Sequence, residues 1–390
     1  MITPENHWFF GVNFTEPSRE GAWLLIQVVM PFYFMNNPEY KKNISTEIIQ
    51  IIGNEYGIKL QHPEQLFLGA DKDTFVYKIN ANDNKKYFLK IRTGEFNELT
   101  VLVPYLLLQE IGAHIIAPVK TLRNSLFLKL PEYNVIMYPF IEGKSGKETD
   151  LTEEQWVEFG KTLRKIHECS IFRTNQEMSA KTFHMSAKTY PISSKTCQIP
   201  KEKFNNKWTI GLKKIMQRLS VIESNNKSVK EFIRMMENRK TIITEMILQA
   251  EKLAGKINKC KTEFCLCHGD LHAANIFISE NEFYIVDWDT MIIAPKERDL
   301  MFIGGGVAGK WNRAEEEKLF YQGYGNHEMI DRTILDYYRF IRIIEDIIVY
   351  YEQFFAENAG EKNRRSIIEW VDSIFWPGGV AEMAGKHQLR

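Results

Sequence analysis

Residues 268–287 read HGDLHAANIFISENEFYIVD, and this stretch decides the fold. Asp270 is followed five positions later by Asn275, and Asp287 ends the apolar run that comes next. An Asp that can accept a hydroxyl proton, followed by an Asn and an Asp that offer oxygen ligands to Mg²⁺, is typical of a phosphoryl-transfer site. A surface loop with incidental acids would need all of these positions to coincide by chance. We therefore predict Asp270 as the catalytic residue and Asn275 and Asp287 as metal ligands.

Short apolar segments surround these three polar residues. Phe264–Leu266, Ile276–Ile278 and Phe283–Val286 have the composition of strands, and the polar residues 279–282 between the last two are typical of a hairpin turn. Strands on either side hold a side chain more rigidly than a free loop does. The pattern therefore predicts that all three polar side chains face one cleft.

A phosphate-binding cation is expected upstream, in a separate β-rich segment. Lys90 lies inside the strand-like run Tyr87–Ile91, and Phe75–Ile79 alternates apolar and polar residues as the other arm of a hairpin does. Glu98 follows near the start of a helical pattern. We predict that Glu98 pairs with Lys90 and holds its ammonium against nucleotide phosphates. Taken alone, Lys90 would be read as a strand lysine that extends its charge into solvent.

A turn between two strand-like runs is the candidate phosphate loop. Residues 68–74 read LGADKDT, which has one glycine and lacks the G-x-G-x-x-G pattern. Gly69 and Asp71 are therefore candidate nucleotide contacts, and an ordinary hairpin turn is an equally good interpretation.

A stiff connector is expected after the strand-like run 134–141. Pro139 lacks a backbone donor and has a fixed φ, so the chain leaves the sheet there. From its order in the chain, we interpret Pro139, Phe140 and Ile141 as the segment that contacts the adenine edge.

Taken together, these residues resemble those of the aminoglycoside phosphotransferase family, small-molecule kinases with a protein-kinase-like fold. The runs CHGD at 267–270 and VDWD at 286–289 are marks of the whole family. The runs APKERDLMFIGGGV at 294–307 and RIIEDI at 342–347 are narrower and favour its spectinomycin-phosphorylating branch. The likeness covers roughly residues 42–382.

The resemblance implies an α+β, two-lobed fold, with a small β-rich N-lobe and a larger helical C-lobe. It implies ATP and Mg²⁺ as cofactors, Asp270 as the catalytic residue, and Asn275 and Asp287 as metal ligands. It also implies that Lys90 and Glu98 form the phosphate-binding ion pair. The His-Gly-Asp sequence replaces the His-Arg-Asp of protein kinases, so no arginine beside Asp270 awaits an activation-loop phosphate. We expect a site that is always active and a substrate that is not a protein.

The chain is expected to divide into three parts. Residues 1–41 form an N-terminal extension, 42–141 the nucleotide-binding N-lobe, and 142–390 the catalytic and substrate-binding C-lobe. The apolar run at 23–35 is too short to span a bilayer. The C-lobe carries an insertion at 175–196 with a seven-residue repeat, SAKTFHM then SAKTYPI. This repeat is interpreted as a polar surface loop, with a substrate lid as the alternative.

Substrate contacts are expected near the metal site and on the C-terminal helix predicted over Asp331–Phe355. A cationic aminocyclitol needs carboxylates around its amines and aromatic faces beside them. The candidate substrate residues are Asp289, Glu345, Asp346, Trp288, Trp311 and Tyr338. Because adjacent residues on a helix point in different directions, one of Glu345 and Asp346 should face the cleft and the other a neighbour such as Arg342.

Composition agrees with a cytoplasmic enzyme. The 390 residues carry 50 basic and 50 acidic side chains, a balance that does not suggest a nucleic-acid or membrane partner. Five cysteines without an even framework are typical of reduced thiols. Cys265 and Cys267 lack a second Cys or His pair at metal spacing, which argues against zinc. His167, inside a helix predicted over Thr152–Cys169, is interpreted as a packed histidine rather than a ligand.

The sequence thus predicts ATP-dependent O-phosphorylation of a small aminocyclitol or aminoglycoside, with spectinomycin favoured and antibiotic resistance as the outcome. A metabolic kinase of the choline, homoserine or methylthioribose type shares every catalytic residue and differs in the substrate wall. A nucleotide-binding pseudokinase is the third possibility, and the joint presence of Lys90, Asp270, Asn275 and Asp287 argues against it. No protein partner is evident.

Overall fold

The computed structural model describes residues 44–66, 74–82, 84–94, 96–170, 199–325, 330–356 and 359–385. The N-terminal extension 1–41, the loop with Gly69 and Asp71, and the repeat at 175–196 lie outside the described residues. Within the described ranges, no helix is both long and apolar enough to cross a membrane.

The first lobe is a five-stranded antiparallel sheet with the strand order β1-β2-β3-β5-β4. Its strands are β1 Leu60–Leu66, β2 Thr74–Ala81, β3 Lys86–Arg92, β4 Leu128–Lys129 and β5 Asn134–Pro139. Two helices accompany the sheet, α1 Thr46–Tyr56 and α2 Leu99–Ile111. The helix α1 starts where Ser45 accepts a hydrogen bond from the Ile48 amide, and it ends at Gly57 in the left-handed conformation.

The second lobe is mostly helical. Its helices are α3 Glu153–Glu168, α4 Lys207–Leu219, α5 Lys227–Asn238, α6 Lys240–Ile257, α7 Glu297–Leu300, α8 Ala314–Tyr324, α9 Arg332–Phe354, α10 Glu361–Ser373 and α11 Val380–Gly385. Its strands are β6 Lys144–Ser145, β7 Cys265–Cys267, β8 Ile276–Ile278, β9 Phe283–Ile285 and β10 Ile292–Ala294. These strands form a three-stranded sheet ordered β6-β8-β9 and an antiparallel pair of β7 with β10. The predicted two-lobed α+β architecture is confirmed.

Two separate hydrophobic clusters form the cores. The smaller one lies under the first sheet and contains Ile52, Ile79 and Leu89. The larger one fills the second lobe and includes most of α9, which is buried along nearly its whole length. We keep the predicted lobe boundary after residue 141 as a proposal, since β5 ends at Pro139 and β6 already belongs to the second sheet.

The strands around the catalytic sequence lie within a residue of their predicted positions. The hairpin of β8 and β9 is closed by two backbone hydrogen bonds between Ser279 and Glu282. Helix α3 begins with a capping box, because the side chains of Thr152 and Gln155 each accept a hydrogen bond from the other's backbone amide.

Two glycines let α3 and α8 pack backbone against backbone. A Cβ on Gly160 would collide with the Phe320 carbonyl, and one on Gly323 would collide with the Val157 carbonyl. Only residues without a side chain permit such an approach. The contact matters for the candidate site because α3 carries His167 and α8 carries Tyr324. These two residues support the loop after β7, which contains Asp270.

We predict that Gly160→Ala or Gly323→Ala destabilises the protein by about 1–3 kcal/mol, because the added methyl group overpacks the helix contact. Gly255→Ala is the matched control, since a Cβ there meets nothing within 4 Å. This control should stabilise α6 by roughly 0.5–1 kcal/mol. Denaturant unfolding measures all three changes, and equal stability of the Gly160 variant and the control would contradict the close contact.

Candidate active site

The catalytic loop between β7 and β8 is held in place by Asp299. The Asp299 carboxylate accepts hydrogen bonds from the amides of His268 and Gly269, both at 2.8 Å. Gly269 has a φ of 86°, and a Cβ there would collide with the Thr290 carbonyl. The glycine of the His-Gly-Asp sequence is therefore a requirement of the backbone.

Asp299 is supported in turn from α3 and α8. The Nε2 of His167 lies 3.1 Å from Asp299 Oδ2, and its Nδ1 lies 2.8 Å from the Tyr324 hydroxyl. His167 is buried, and both of its ring nitrogens lie within hydrogen-bond distance of these two neighbours. Burial alone would raise the pKa of Asp299. The hydrogen bonds that Asp299 accepts from His167 and from the Gly269 amide outweigh burial and lower this pKa. Asp299 therefore stays ionised as it holds the loop.

Asp270 is a buried carboxylate with two basic neighbours. Its side chain is 2% exposed, with Arg342 Nη1 2.6 Å from Oδ1 and His272 Nε2 3.3 Å from Oδ2. The Ala274 amide donates to His272 Nδ1, so the ring proton of a neutral His272 sits on Nε2, facing Asp270. Burial would raise the pKa of Asp270, but His272 and Arg342 outweigh it and hold the pKa well below its usual range. Asp270 is consequently a carboxylate at any physiological pH.

Asn275 and Asp287 flank the hairpin of β8 and β9. The Asn275 amide nitrogen donates to the Asp270 carbonyl at 2.8 Å, which leaves its amide oxygen turned away from the loop. The Val286 amide donates to the Asn275 carbonyl at 3.0 Å, and this bond brings the two ends of the hairpin together. Asp287 has a φ of 66°, a conformation that few residues other than glycine adopt and that is frequent at functional sites.

Two cations and two acids meet between the lobes. Lys90 Nζ lies 2.9 Å from Asp289 and 3.6 Å from Asp287. Arg92, two residues further along β3, lies 3.1 Å from Asp289. Lys90 and Arg92 lower the pKa of Asp289 to about 2, although burial opposes this. The two lobes are thus joined by a compact network of ion pairs.

Two acids lie beside Lys90, Asp287 and Asp289. The pairing of Lys90 with Glu98, the residue that precedes α2, stays a prediction. Asp289, the predicted substrate contact, lies against Lys90 and Arg92, and its role toward the substrate stays a prediction. A sequence pattern gives the order of these residues but not which acid reaches the lysine across the lobes.

Backbone hydrogen bonds to β3 already engage part of the connector after β5. Pro139 pairs with Tyr87, and the Phe140 amide donates to the Lys86 carbonyl at 3.0 Å. Proline has no amide proton, and the amide proton of Phe140 is already donated to Lys86. A backbone donor to an adenine edge would therefore have to be Ile141 or a later residue.

The three aromatic candidates lie in the packed interior. Trp311 is 5% exposed, with Trp156 and Phe159 at centroid distances of 5.5 and 5.6 Å. Tyr338 is fully buried, and Trp288 packs on His268 with centroids 4.8 Å apart. We therefore leave Trp311 and Tyr338 out of the proposed substrate site.

The paired acids of α9 point in different directions, as expected. Asp346 Oδ1 lies 2.9 Å from Arg342 Nε, whereas Glu345 is 4% exposed and its Oε2 has no hydrogen-bond partner among the described residues. Burial raises the pKa of Glu345 to about 7, although the nearby guanidinium groups of Arg298 and Arg342 lower it. Burial likewise raises the pKa of Asp346 to about 6, against the effect of Arg342. Both acids can therefore change charge near neutral pH.

Sequence reasoning gave no role to several residues of this site. Arg92 could have been found, because it follows Lys90 by two positions on a strand and must face the same side. Asp299, His272 and the bond from Arg342 to Asp270 depend on contacts across many residues of sequence. No local pattern signals those contacts.

The fold and site together define a small-molecule phosphotransferase with a kinase-like architecture. The phosphotransferase enzyme family, APH, matches residues 69–338. The chain therefore belongs to the aminoglycoside phosphotransferase family.

Solved structures support this assignment. A spectinomycin phosphotransferase in complex with ADP and spectinomycin is 32% identical, covers 90% of this chain and 100% of its own, and superposes with a TM-score of 0.76. An AMP-bound complex of spectinomycin phosphotransferase is 31% identical over 88% of this chain and 99% of its own, with a TM-score of 0.72. An amicoumacin kinase bound to AMP-PNP and Ca²⁺ shares the fold at 14% identity and a TM-score of 0.57, covering 89% of this chain and 98% of its own. A comparison with curated proteins finds no match.

We predict that Arg342→Gln shifts the acid limb of the kcat–pH profile to higher pH. Without the guanidinium, burial raises the Asp270 pKa to above about 4, so Asp270 becomes protonated in mildly acidic buffer. Arg339→Gln is the matched control on the same helix, since Arg339 is buried and donates to the carbonyls of Met301 and Ile303. An identical acid limb in the parent and in a folded Arg342 variant would contradict this coupling.

Proposed function

We propose that this protein transfers the γ-phosphoryl group of ATP to a hydroxyl group of spectinomycin or a closely related aminocyclitol. The observation that carries the proposal is the 32% identity to a spectinomycin phosphotransferase over 90% of the chain. The geometry around Asp270 supports the chemistry, and the buried acids of α9 support a cationic acceptor. The reaction is assigned to the cytoplasm, where ATP is available.

Asp270 is the group proposed to receive the acceptor hydroxyl. Because Arg342 and His272 keep its pKa low, Asp270 is a weak base that accepts a hydrogen bond and orients the hydroxyl oxygen for attack. The hydroxyl proton moves to Asp270 only as the bond to phosphorus forms. Arg342 and His272 also fix the position of the carboxylate.

The nucleotide side of the proposal rests on oxygen ligands and cations. The amide oxygen of Asn275 and the carboxylate of Asp287 are hard donors that fit Mg²⁺, and the bond from Asn275 to the Asp270 carbonyl sets which amide atom is the ligand. Mg²⁺ at these residues would neutralise charge on the phosphates. Lys90 adds a second cation to the phosphates, and Ile141 is the proposed backbone donor to adenine.

The charge of the C-lobe side of the site favours a cationic acceptor. Among the described residues, Asp270, Glu345 and Asp346 are three buried carboxyl groups whose guanidinium neighbours are those of Arg298 and Arg342. A bound ammonium group supplies the missing positive charge. A quaternary ammonium, as in choline, calls for an aromatic cage, and Trp311 and Tyr338 are committed to the core.

The test is an ADP-release assay with MgATP over a set of alcohols. We expect turnover with spectinomycin and none with choline, homoserine or methylthioribose. Asp270→Asn should reduce kcat by about a hundredfold or more and leave MgATP affinity nearly intact, because it removes a positioned acceptor of the proton. Asp287→Ala should weaken MgATP binding as well.

Expression in a susceptible bacterium should raise spectinomycin tolerance, and Asp270→Asn should abolish the effect. Turnover of a metabolite without turnover of spectinomycin would overturn the antibiotic substrate and keep the kinase. Absence of any turnover with intact nucleotide binding would favour the pseudokinase alternative.

We predict that KM for the cationic acceptor falls as the pH rises from about 5.5 to 8, because Glu345 and Asp346 are neutral below their raised pKa values and attract a cation only when ionised. Glu345→Gln should raise KM and flatten the upper part of this dependence, whereas Glu352→Gln, on the exposed side of the same helix, should change neither. A pH-independent KM in the parent would contradict the role of these acids.

A further inference from the structure

A cluster of three soft ligands lies behind the catalytic loop. His167 of α3 and Cys265 and Cys267 of β7 each offer one ligand atom, and these atoms all lie within 4.8 Å of one another. His167 and Cys267 are buried, and Cys265 is partly buried. None of the three is a ligand in the proposed magnesium site, which consists of oxygen atoms.

Strand β7 positions two of the three ligands. Residues two apart on a strand face the same side, so the two thiols lie together with Sγ atoms 3.8 Å apart. Tetrahedral coordination at a metal–sulfur distance of about 2.3 Å places two sulfurs roughly 3.8 Å apart. The thiols therefore already have the spacing of two ligands on one metal ion.

The third ligand comes from another element of the fold. The sequence pattern showed only the cysteine pair, and the fold adds His167 from α3, 98 positions upstream of Cys265. Two thiolates and one imidazole are ligands that Zn²⁺ and Cd²⁺ accept and Mg²⁺ does not, and a solvent oxygen can complete their tetrahedral coordination.

The protonation of the thiols fits such a role. The hydrogen bond from Cys267 lowers the pKa of the Cys265 thiol against the effect of burial, with His167 nearby as a further cause. Burial raises the pKa of the Cys267 thiol. A divalent cation bound at both sulfurs would displace the thiol protons and any proton on the coordinating imidazole nitrogen to solvent.

We propose that His167, Cys265 and Cys267 form a binding site for a thiophilic divalent cation such as Zn²⁺ or Cd²⁺. The site is coupled to the catalytic loop, because His167 supports Asp299 and Asp299 holds the amides of His268 and Gly269. A cation that takes His167 as a ligand alters the support of that carboxylate. The inference concerns binding, and its main test is independent of the proposed substrate.

The test is a Cd²⁺ titration of the full chain, monitored by near-ultraviolet thiolate-to-metal absorption and by equilibrium dialysis. Excess Mg²⁺ occupies the oxygen ligands of the proposed magnesium site, and a Cys197→Ser/Cys260→Ser background removes two of the three other thiols of the sequence. We expect one Cd²⁺ per chain with the absorption of two thiolates. Cys265→Ser and Cys267→Ser should each weaken binding by about a hundredfold, and His167→Gln by about tenfold or more.

Cys169→Ser is the matched control, since it removes a buried thiol outside the cluster and should leave the affinity unchanged. Absence of the thiolate absorption in the background protein, or equal affinity in the Cys267→Ser variant, would overturn the proposal. The first of these readouts needs no variant of the cluster to fold. As a second measurement, Cd²⁺ should raise the thermal midpoint of the background protein and not of the Cys267→Ser variant.

Discussion

Asp270 has to remain ionised while almost no part of it touches solvent, and burying a lone carboxylate is strongly unfavourable. The structure meets this constraint with a guanidinium on one oxygen and an imidazole on the other. The guanidinium comes from the middle of α9, which explains why such a long helix must pass directly behind the catalytic loop. The same helix carries Glu345 and Asp346, so the compensation of Asp270 and the acidic character of the substrate side have one structural origin.

The loop around Asp270 needs a second layer of support, because two of its amides would otherwise be buried without partners. Asp299 accepts both, and His167 and Tyr324 hold Asp299 in turn. These two residues lie on α3 and α8, whose glycines allow their backbones to meet. The position of the catalytic carboxylate therefore depends on helix packing well away from the cleft, through a short chain of hydrogen bonds.

Local sequence patterns determine much of this architecture. The strands next to Asp270, the capping box at Thr152, and the end of α1 at Gly57 each follow from residues within a few positions of one another, where propensity and hydrogen bonding act directly. Trp311 shows the limit of such patterns: a tryptophan near a predicted site has the same sequence signature whether it lines a cleft or fills a core. The neighbours of Lys90 show it again, since only the folded chain brings Asp287 and Asp289, nearly 200 positions away, beside this lysine.

The Asp289 carboxylate lies beside both Lys90 and Arg92, and this arrangement affects how the proposed nucleotide site accepts a phosphate. Lys90 is held by Asp289 before any phosphate arrives, so little conformational entropy remains to be lost when it binds one. If Lys90 leaves Asp289 for a phosphate, as proposed, Asp289 still has Arg92 at 3.1 Å and does not become an unpaired buried charge. A single lysine against a single acid would leave that acid uncompensated. The second cation on β3 therefore lets Lys90 change partners at low cost, and a lysine that contacts phosphates needs this freedom.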